Sequence, residues 1–227
     1  MQRGTSVLSA PEPTGRMSDL AYSRILELLF DRRLPAGAFV SQNELVELTG
    51  VPVAPLRDAL RVLEAEGILV IQPRSGIQFV KPGLELTKST YQFRTIVERA
   101  AVRVFAETAD DETLARLRQN HAALQERIEQ DGLSDDHVAD LEELESDLHN
   151  NVVGVLENPL IDSSYRRMHN YLRLVRLNRK LTAPIALRSI REHIGIIESC
   201  LARDANAAES SLVAHFNAAL QRHMGLF

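Results

Sequence analysis

The chain has 227 residues, of which 44% are hydrophobic, and its formal net charge at pH 7 is −5. This length fits two modest domains with buried cores, and the negative charge excludes a protein that binds nucleic acid through a broad positive surface. No apolar run approaches the roughly 20 residues of a membrane-spanning helix, so we expect no membrane association.

The N-terminal residues 1–17 predict a flexible tail. They are rich in Pro, Gly and Ser and lack the apolar core of a secretory signal. The one cysteine, Cys200, cannot form an internal disulfide, which fits a reducing cytosol, and we therefore expect a cytoplasmic protein. We interpret Cys200 as a small apolar residue on a helix.

Residues 18–82 predict a small domain that starts with two helices. The first helix runs from Ser18 to about Arg33, before the breaker Leu34-Pro35-Ala36-Gly37. Ser41 and Glu44 form a capping box, which predicts the start of a second, short helix.

A third helix and a β-hairpin complete this domain. Pro55 fits the first turn of a third helix that runs to about Glu66, and the hairpin strands at 68–71 and 77–80 flank Pro73-Arg74-Ser75-Gly76. This order of elements is typical of a winged helix-turn-helix, whose third helix enters the major groove of double-stranded DNA. The pattern alone leaves other uses of a small three-helix unit open.

Residues 83–227 predict an all-helical bundle, so the fold class is mainly α. Lys81-Pro82-Gly83 predicts a hinge before it. The first 82 residues carry nine Lys/Arg and nine Asp/Glu, so the net charge of −5 lies on the bundle. Turn and capping signals divide the bundle into six predicted helices, at about 86–108, 111–130, 136–156, 159–180, 184–202 and 205–224.

Four potential metal ligands lie in the bundle. Glu145 and His149 are four residues apart and share one helix face. His193 and His215 each lie eleven residues from Asp204, the predicted N-cap of the last helix, so two helices folded back on each other place the imidazoles at the same height. Three imidazoles and one carboxylate suit a divalent transition metal; zinc and nickel are favoured, and manganese and iron are compatible.

The other histidines lie in charged or frayed stretches, and we expect them at the surface. These are His121, His137, His169 and His223.

Several motifs, present in one order along the chain, resemble a known family. Gly50-Val51, the run PLRDALRVLEAEG at 55–67 and Pro73-Arg74-Ser75-Gly76 resemble the DNA-binding domain of the GntR superfamily of bacterial transcription regulators. The second half resembles the FadR-like (FCD) ligand-binding domain of that superfamily. The matching residues are Arg94-x-x-x-Glu98, His149 with Asn158-Pro159-Leu160, Glu192-His193, and Asp204 leading to His215.

This resemblance implies a homodimeric repressor or activator whose winged domains bind a pseudo-palindromic operator. The helical domain is then expected to bind a small organic acid, and the bound effector to shift the hinge and change the spacing of the two winged domains. Many members of this branch hold a divalent metal through one acidic residue and three histidines. The acid is usually aspartate, and here Glu145 takes its place.

The chain departs from the family pattern where the DNA is read. Pro52-Val53-Ala54 stands where the family usually has Ser-Arg-Thr, and Asn43 replaces a basic residue of the second helix. The operator preference of relatives is therefore not carried over. The candidate DNA-contacting residues are Asn43, Arg57, Arg61, Arg74, Ser75 and Gly76.

Arg94 is the main candidate for binding the effector, and two interpretations remain open. It either forms an ion pair with Glu98, one helical turn away, or holds the effector's carboxylate in a bidentate contact. Tyr171 and Arg173 are weaker candidates for lining the same cavity.

Two alternatives differ in what the metal does. In the first, the regulator carries a structural metal or none, and its effector is a larger acyl or coenzyme A-type acid. In the second, the same ligands activate water in a metallohydrolase. The sequence contains no His-Glu-x-x-His motif and the second alternative leaves the winged domain unexplained, so we predict that the chain is not an enzyme.

Overall fold

The computed structural model describes residues 14–177 and 181–225 and divides the chain into two compact units, one ending at Pro82 and the other beginning at Gly83. Residues 1–13 of the predicted tail lie outside the described residues. The first helix begins at Thr14, four residues before the predicted start. Within the described ranges, no helix combines the length and apolar character needed to cross a membrane.

The first unit has the predicted winged helix-turn-helix order. Strand β3 (Gly76–Phe79) lies between β1 (Phe39–Val40) and β2 (Leu69–Gln72) in an antiparallel three-stranded sheet. Strand β1 was not predicted, because two residues are too few to show an alternating pattern. The elements are α1 (Thr14–Phe30), β1 (Phe39–Val40), α2 (Gln42–Thr49), α3 (Val53–Ala65), β2 (Leu69–Gln72) and β3 (Gly76–Phe79).

Helices α2 and α3 begin and end near the local sequence signals that predicted them. The Ser41 hydroxyl accepts from the Glu44 N–H at 3.2 Å, and the Glu44 carboxylate accepts from the Ser41 N–H at 2.7 Å, which confirms the capping box. Gly50 ends α2 in the left-handed conformation, at φ 65°. Helix α3 begins at Val53, and its N-cap, Pro52, makes no side-chain capping hydrogen bond.

Gly76 occupies a position with no room for a side chain. Its φ is 151°, and a Cβ there would lie 2.8 Å from the backbone oxygen of Val40 and 2.9 Å from the Phe39 ring. We expect Gly76→Ala to lower the free energy of unfolding by about 1–3 kcal/mol, because relief of the overlap disturbs the β1–β3 pairing. Urea denaturation of the full chain measures this. Ser75→Ala, at the exposed neighbour, is the control, and equal unfolding midpoints would contradict the expectation.

The second unit contains the six predicted helices. Helix α9 (Ala205–His223) packs against α4 (Leu84–Thr108) and α8 (Ala183–Leu201), and α5 (Asp111–Asp131) packs against α6 (Asp135–Gly154) and α8. Helix α7 ends at Arg176, and the last part of its predicted range, 178–180, lies outside the described residues. The helices are α4 (Leu84–Thr108), α5 (Asp111–Asp131), α6 (Asp135–Gly154), α7 (Pro159–Arg176), α8 (Ala183–Leu201) and α9 (Ala205–His223).

The turn between α8 and α9 sets the register of these two helices. The Asp204 carboxylate accepts from the N–H groups of Asn206 and Ala207 at 3.0 and 2.9 Å, as its predicted N-cap role requires. Cys200, in the last turn of α8, is buried in the apolar core, and burial raises the pKa of its thiol to about 12. This agrees with its interpretation as a small apolar residue.

Candidate metal centre

Three histidines from three helices meet in the interior of the second unit. His149 on α6, His193 on α8 and His215 on α9 are at most 2% exposed, and one ring nitrogen of each lies within 4.8 Å of the others. The Nε2 atoms of His193 and His215 are 3.3 Å apart. The structure therefore brings together the two imidazoles that the sequence places at equal distances from Asp204.

The spacing of these nitrogens fits a metal ion. Two nitrogen ligands of a tetrahedral ion, each 2.0–2.1 Å from it, lie about 3.3 Å apart. The Nε2 of His149 is buried and has no hydrogen-bond partner among the described residues. A buried polar atom without a partner is costly in a folded protein, and a metal ion bound to this nitrogen would remove that cost. The residues present therefore fit a divalent ion.

Two carboxylates orient two of these imidazoles. The Nδ1–H of His149 donates to Glu98 Oε2 at 2.6 Å, and the Nδ1–H of His215 donates to Glu192 Oε2 at 2.8 Å. We assign the ring protons to Nδ1 because an ionised carboxylate only accepts. Each Nε2 then directs its lone pair into the cluster, which is how protein carboxylates hold metal-binding histidines.

The electrostatics keep the imidazoles neutral and these carboxylates charged. Burial lowers the pKa of His149 to about 4 and that of His193 well below its usual value. Burial opposes ionisation of Glu98, but the positive charge of Arg94 and the hydrogen bonds from His149 and Arg94 hold its pKa at about 2. Neutral imidazoles are the form that binds a metal ion.

Each carboxylate around the cluster is paired with an arginine from the same unit. Arg94 makes a single contact with Glu98 at 2.8 Å, and Arg222 makes a bidentate contact with Glu192, with both distances at 2.8 Å. Arg176 on α7 makes a close contact with Glu145 on α6. Each of these carboxylates therefore has a cationic partner within the second unit. The pairs are Glu98–Arg94, Glu192–Arg222 and Glu145–Arg176.

Glu145 does not lie where the sequence analysis expected it. It is buried on α6 one turn before His149, but its carboxylate pairs with Arg176 and accepts from Ser189 Oγ at 3.3 Å. The group of ligand atoms within 4.8 Å consists of the three histidines without Glu145. The helical spacing gave the correct face, but the direction of the longer glutamate side chain depends on α7.

The expectation that the other histidines lie at the surface is wrong for His121 and His137, which are buried, and His169 and His223 are half-buried. His121 on α5 is fully buried, with its Nε2 3.2 Å from His193 Nδ1 and its Nδ1 2.7 Å from the Leu117 carbonyl oxygen. His137 is buried in the capping box of α6. Helical spacing could have found His121, because it falls in the buried stripe of α5 with Leu117 and Leu124.

Arg94 forms the ion pair with Glu98, which is one of the two interpretations that the sequence left open. Its Nε donates to Glu98 Oε1 at 2.8 Å, and the side chain is 1% exposed. Both terminal nitrogens are buried without a hydrogen-bond partner in the described part of the chain, and the guanidinium lies 4.4 Å from the Phe216 ring centre. Tyr171 is half-buried and Arg173 is exposed, so Arg94 is the better placed of the three candidates.

The candidate DNA-contacting residues lie at the surface of the first unit, except that Gly76 is half-buried. Arg57 Nε donates to Gln42 Oε1 at 2.9 Å, and Arg61 lies 3.6 Å from Asp58. The wing turn places Arg74 at positive φ, 64°. The exposed candidates are Asn43, Arg57, Arg61, Arg74 and Ser75.

Comparison with known proteins gives matches over both units. The FCD domain model matches residues 89–218, and the model of bacterial regulatory proteins of the gntR family matches residues 18–79. The chain is 24% identical over 196 residues to the uncharacterized HTH-type transcriptional regulator YdhC of Bacillus subtilis (strain 168), covering 86% of each protein. It is 28% identical over 142 residues to the Nta operon transcriptional regulator of Aminobacter aminovorans, covering 62% of this chain and 64% of that protein.

Solved structures show the same fold. A putative GntR transcriptional regulator from Rhodococcus sp. RHA1 superposes with a TM-score of 0.73 at 19% identity, covering 94% of this chain and 99% of that one. E. coli McbR/YncC gives a TM-score of 0.71 at 17% identity, with coverages of 93% and 97%. The metal-free FCD domain of TM0439 gives 0.54 at 19% identity, with coverages of 64% and 96%.

Proposed function

Because this chain belongs to the GntR family of bacterial regulatory proteins and carries an FCD domain, we propose that it senses a small carboxylate through a metal ion held by three histidines. Family membership makes it a transcription regulator and not an enzyme. Regulators of this family bind DNA, and FCD domains bind small-molecule effectors. The observation that supports the proposed metal centre is the convergence of one ring nitrogen from each of three buried histidines within 4.8 Å.

The ligand set favours zinc or nickel, with manganese and iron as compatible ions. A bound divalent ion supplies positive charge and, with three imidazole ligands, open coordination positions that accept a carboxylate oxygen. Glu145 serves as a further ligand in this proposal, once its carboxylate leaves Arg176. Arg94 pairs with the effector, because its two terminal N–H groups are available for a bidentate contact.

We further propose that the protein is a homodimer that reads an operator with two half-sites about one helical turn apart. Asn43, Arg57 and Arg61 would face the DNA from the two helices of the helix-turn-helix. The wing tip, Arg74 to Gly76, would reach the sugar-phosphate backbone. The exposed positions of these residues, with Gly76 half-buried among them, support this assignment.

The first turn of α3 offers apolar side chains to the DNA, since Val53 is 38% exposed and its neighbours Pro52 and Ala54 are exposed. Apolar side chains recognise thymine through its C5 methyl group. We expect deoxyuridine in place of the contacted thymine to weaken wild-type binding about fourfold, since a buried methyl group contributes about 0.8 kcal/mol. Fluorescence anisotropy at fixed salt measures this.

The matched control for this prediction is on the same helix. In Val53→Ser, replacing the contacted thymine with deoxyuridine should no longer change the DNA affinity. Val62 lies nine residues further along α3 and therefore on the opposite face, so Val62→Ser should retain the full fourfold effect. Equal sensitivity of Val53→Ser and wild type to the substitution would contradict the prediction.

The proposed function is tested on chelator-treated full-length protein. Zinc or nickel is restored, a panel of small carboxylates is added, and both the melting temperature and the affinity for a duplex selected from a random pool are measured. We expect a carboxylate to raise the melting temperature and change DNA affinity only in the metal-loaded protein. An equal response without metal would support the alternative of a structural or absent metal, and larger acyl acids would then be screened.

A further inference from the structure

His193 differs from the other two histidines of the cluster in what holds it. His149 and His215 each donate from Nδ1 to a carboxylate. The Nδ1 of His193 instead lies 3.2 Å from the Nε2 of His121, and both imidazoles are fully buried. The two rings cross at 78° with their centres 5.2 Å apart, so the nitrogen of one meets the edge of the other.

The proton positions in this pair follow from the Leu117 carbonyl. That oxygen can only accept, so the contact of 2.7 Å places the proton of His121 on Nδ1. A neutral imidazole with a proton on Nδ1 has a bare Nε2. His121 Nε2 is therefore an acceptor, and the proton shared with His193 belongs to His193 Nδ1. The Nε2 of His193 is then bare and faces the cluster.

We propose that His121 is a positioning residue of the metal centre, which holds His193 in the tautomer whose Nε2 binds the ion. This inference rests on the proposed metal function and deepens it. With His121 included, each of the three metal-facing imidazoles has a hydrogen-bond acceptor at its Nδ1: Glu98 for His149, Glu192 for His215 and His121 for His193.

The opposite tautomer shows why this matters. If His193 carried its proton on Nε2, that proton would lie between His193 and His215, whose Nε2 atoms are 3.3 Å apart, and would hydrogen-bond the two rings to each other. The proton would then occupy the lone pair with which His193 Nε2 binds the ion. The Leu117–His121 pair raises the free energy of that state, because His121 Nε2 would face a bare His193 Nδ1, lone pair to lone pair.

The test compares two replacements of His121 in the full-length protein, with zinc as the probe. In His121→Leu no acceptor remains for His193 Nδ1, and we expect zinc affinity, measured by chelator competition, to fall about 10–100-fold. In His121→Gln the amide oxygen can still accept and the amide NH2 can still donate to Leu117, so we expect a loss of less than about fivefold. His137→Gln, at another buried histidine, is the control and should keep wild-type affinity.

A second measurement does not depend on metal. Nitrogen-15 NMR of the metal-free protein should show His193 protonated on Nδ1 in the wild type and in His121→Gln, and a shift toward Nε2 protonation in His121→Leu. Wild-type protein with His193 protonated on Nε2, or equal zinc affinities in all variants, would overturn the inference. A wild type that binds no zinc but has the expected tautomer would count against the proposed metal function and leave the positioning by His121 supported. If His121→Leu does not fold, the wild-type tautomer and His121→Gln still decide.

Discussion

Replacing both His193 and His215 with alanine is expected to reduce bound metal from about one ion per chain to none. Binding of a structural zinc ion by four ligands contributes about 10–16 kcal/mol, or roughly 3 kcal/mol per ligand. Loss of two imidazoles should therefore weaken binding by about four orders of magnitude or more. His149 and Glu145 remain, but one imidazole and one carboxylate do not hold an ion at micromolar concentrations.

The measurement is elemental analysis of protein that has met neither chelator nor nickel resin. His137→Ala/His169→Ala removes the same number of imidazoles outside the cluster, and we expect it to retain the metal. Metal kept by His193→Ala/His215→Ala would place the ion elsewhere. No metal in the wild type, even after zinc or nickel is offered, would remove the metal from the proposed function.

Much of the fold could be predicted because its signals are local. The capping box at Ser41 and Glu44 and the left-handed Gly50 determine where α2 begins and ends within a few residues of sequence. Asp204 does the same for α9 and thereby sets the register of His193 and His215. Strand β1 exists only because β3 pairs with it, so its sequence carries no independent signal.

The site could be predicted only in part, because its geometry depends on contacts between helices. The partner of His149, Glu98, lies 51 residues earlier in the chain, and nothing in the spacing relates them. Glu145 turns toward Arg176 because α7 places a guanidinium beside it. His121 was accessible to sequence reasoning, since a histidine in a leucine stripe is buried, but its charged neighbours led to the wrong interpretation.

Replacing Arg94 with methionine is expected to lower the free energy of unfolding by about 3–5 kcal/mol. The methionine fills much of the same volume but leaves the fully buried Glu98 carboxylate without its cation. Tyr165 and His149 still donate to Glu98, at 2.9 and 2.6 Å, but neither carries a full positive charge at pH 7. Urea denaturation measures the loss.

Two controls separate the buried charge from the loss of an arginine as such. Arg99→Met, on the same helix, removes a half-exposed arginine that pairs with Glu209, and we expect a loss below about 1 kcal/mol. Arg94→Met/Glu98→Gln removes both charges, and the glutamine oxygen can still accept from His149. We expect this double variant to recover most of the stability.

The same double variant tests whether Arg94 also binds the effector. With stability restored and metal at saturation, the protein retains its histidine cluster but lacks the two terminal N–H groups that have no partner in the described structure. We expect the carboxylate that stabilises the wild type to lose at least about tenfold in affinity, since a hydrogen bond to a charged group contributes about 1.5–3 kcal/mol. An unchanged effector affinity in thermal-shift titrations would mean that Arg94 only balances the charge of Glu98. The cation that pairs with the effector would then be sought at Arg176, which Glu145 releases if Glu145 binds the metal.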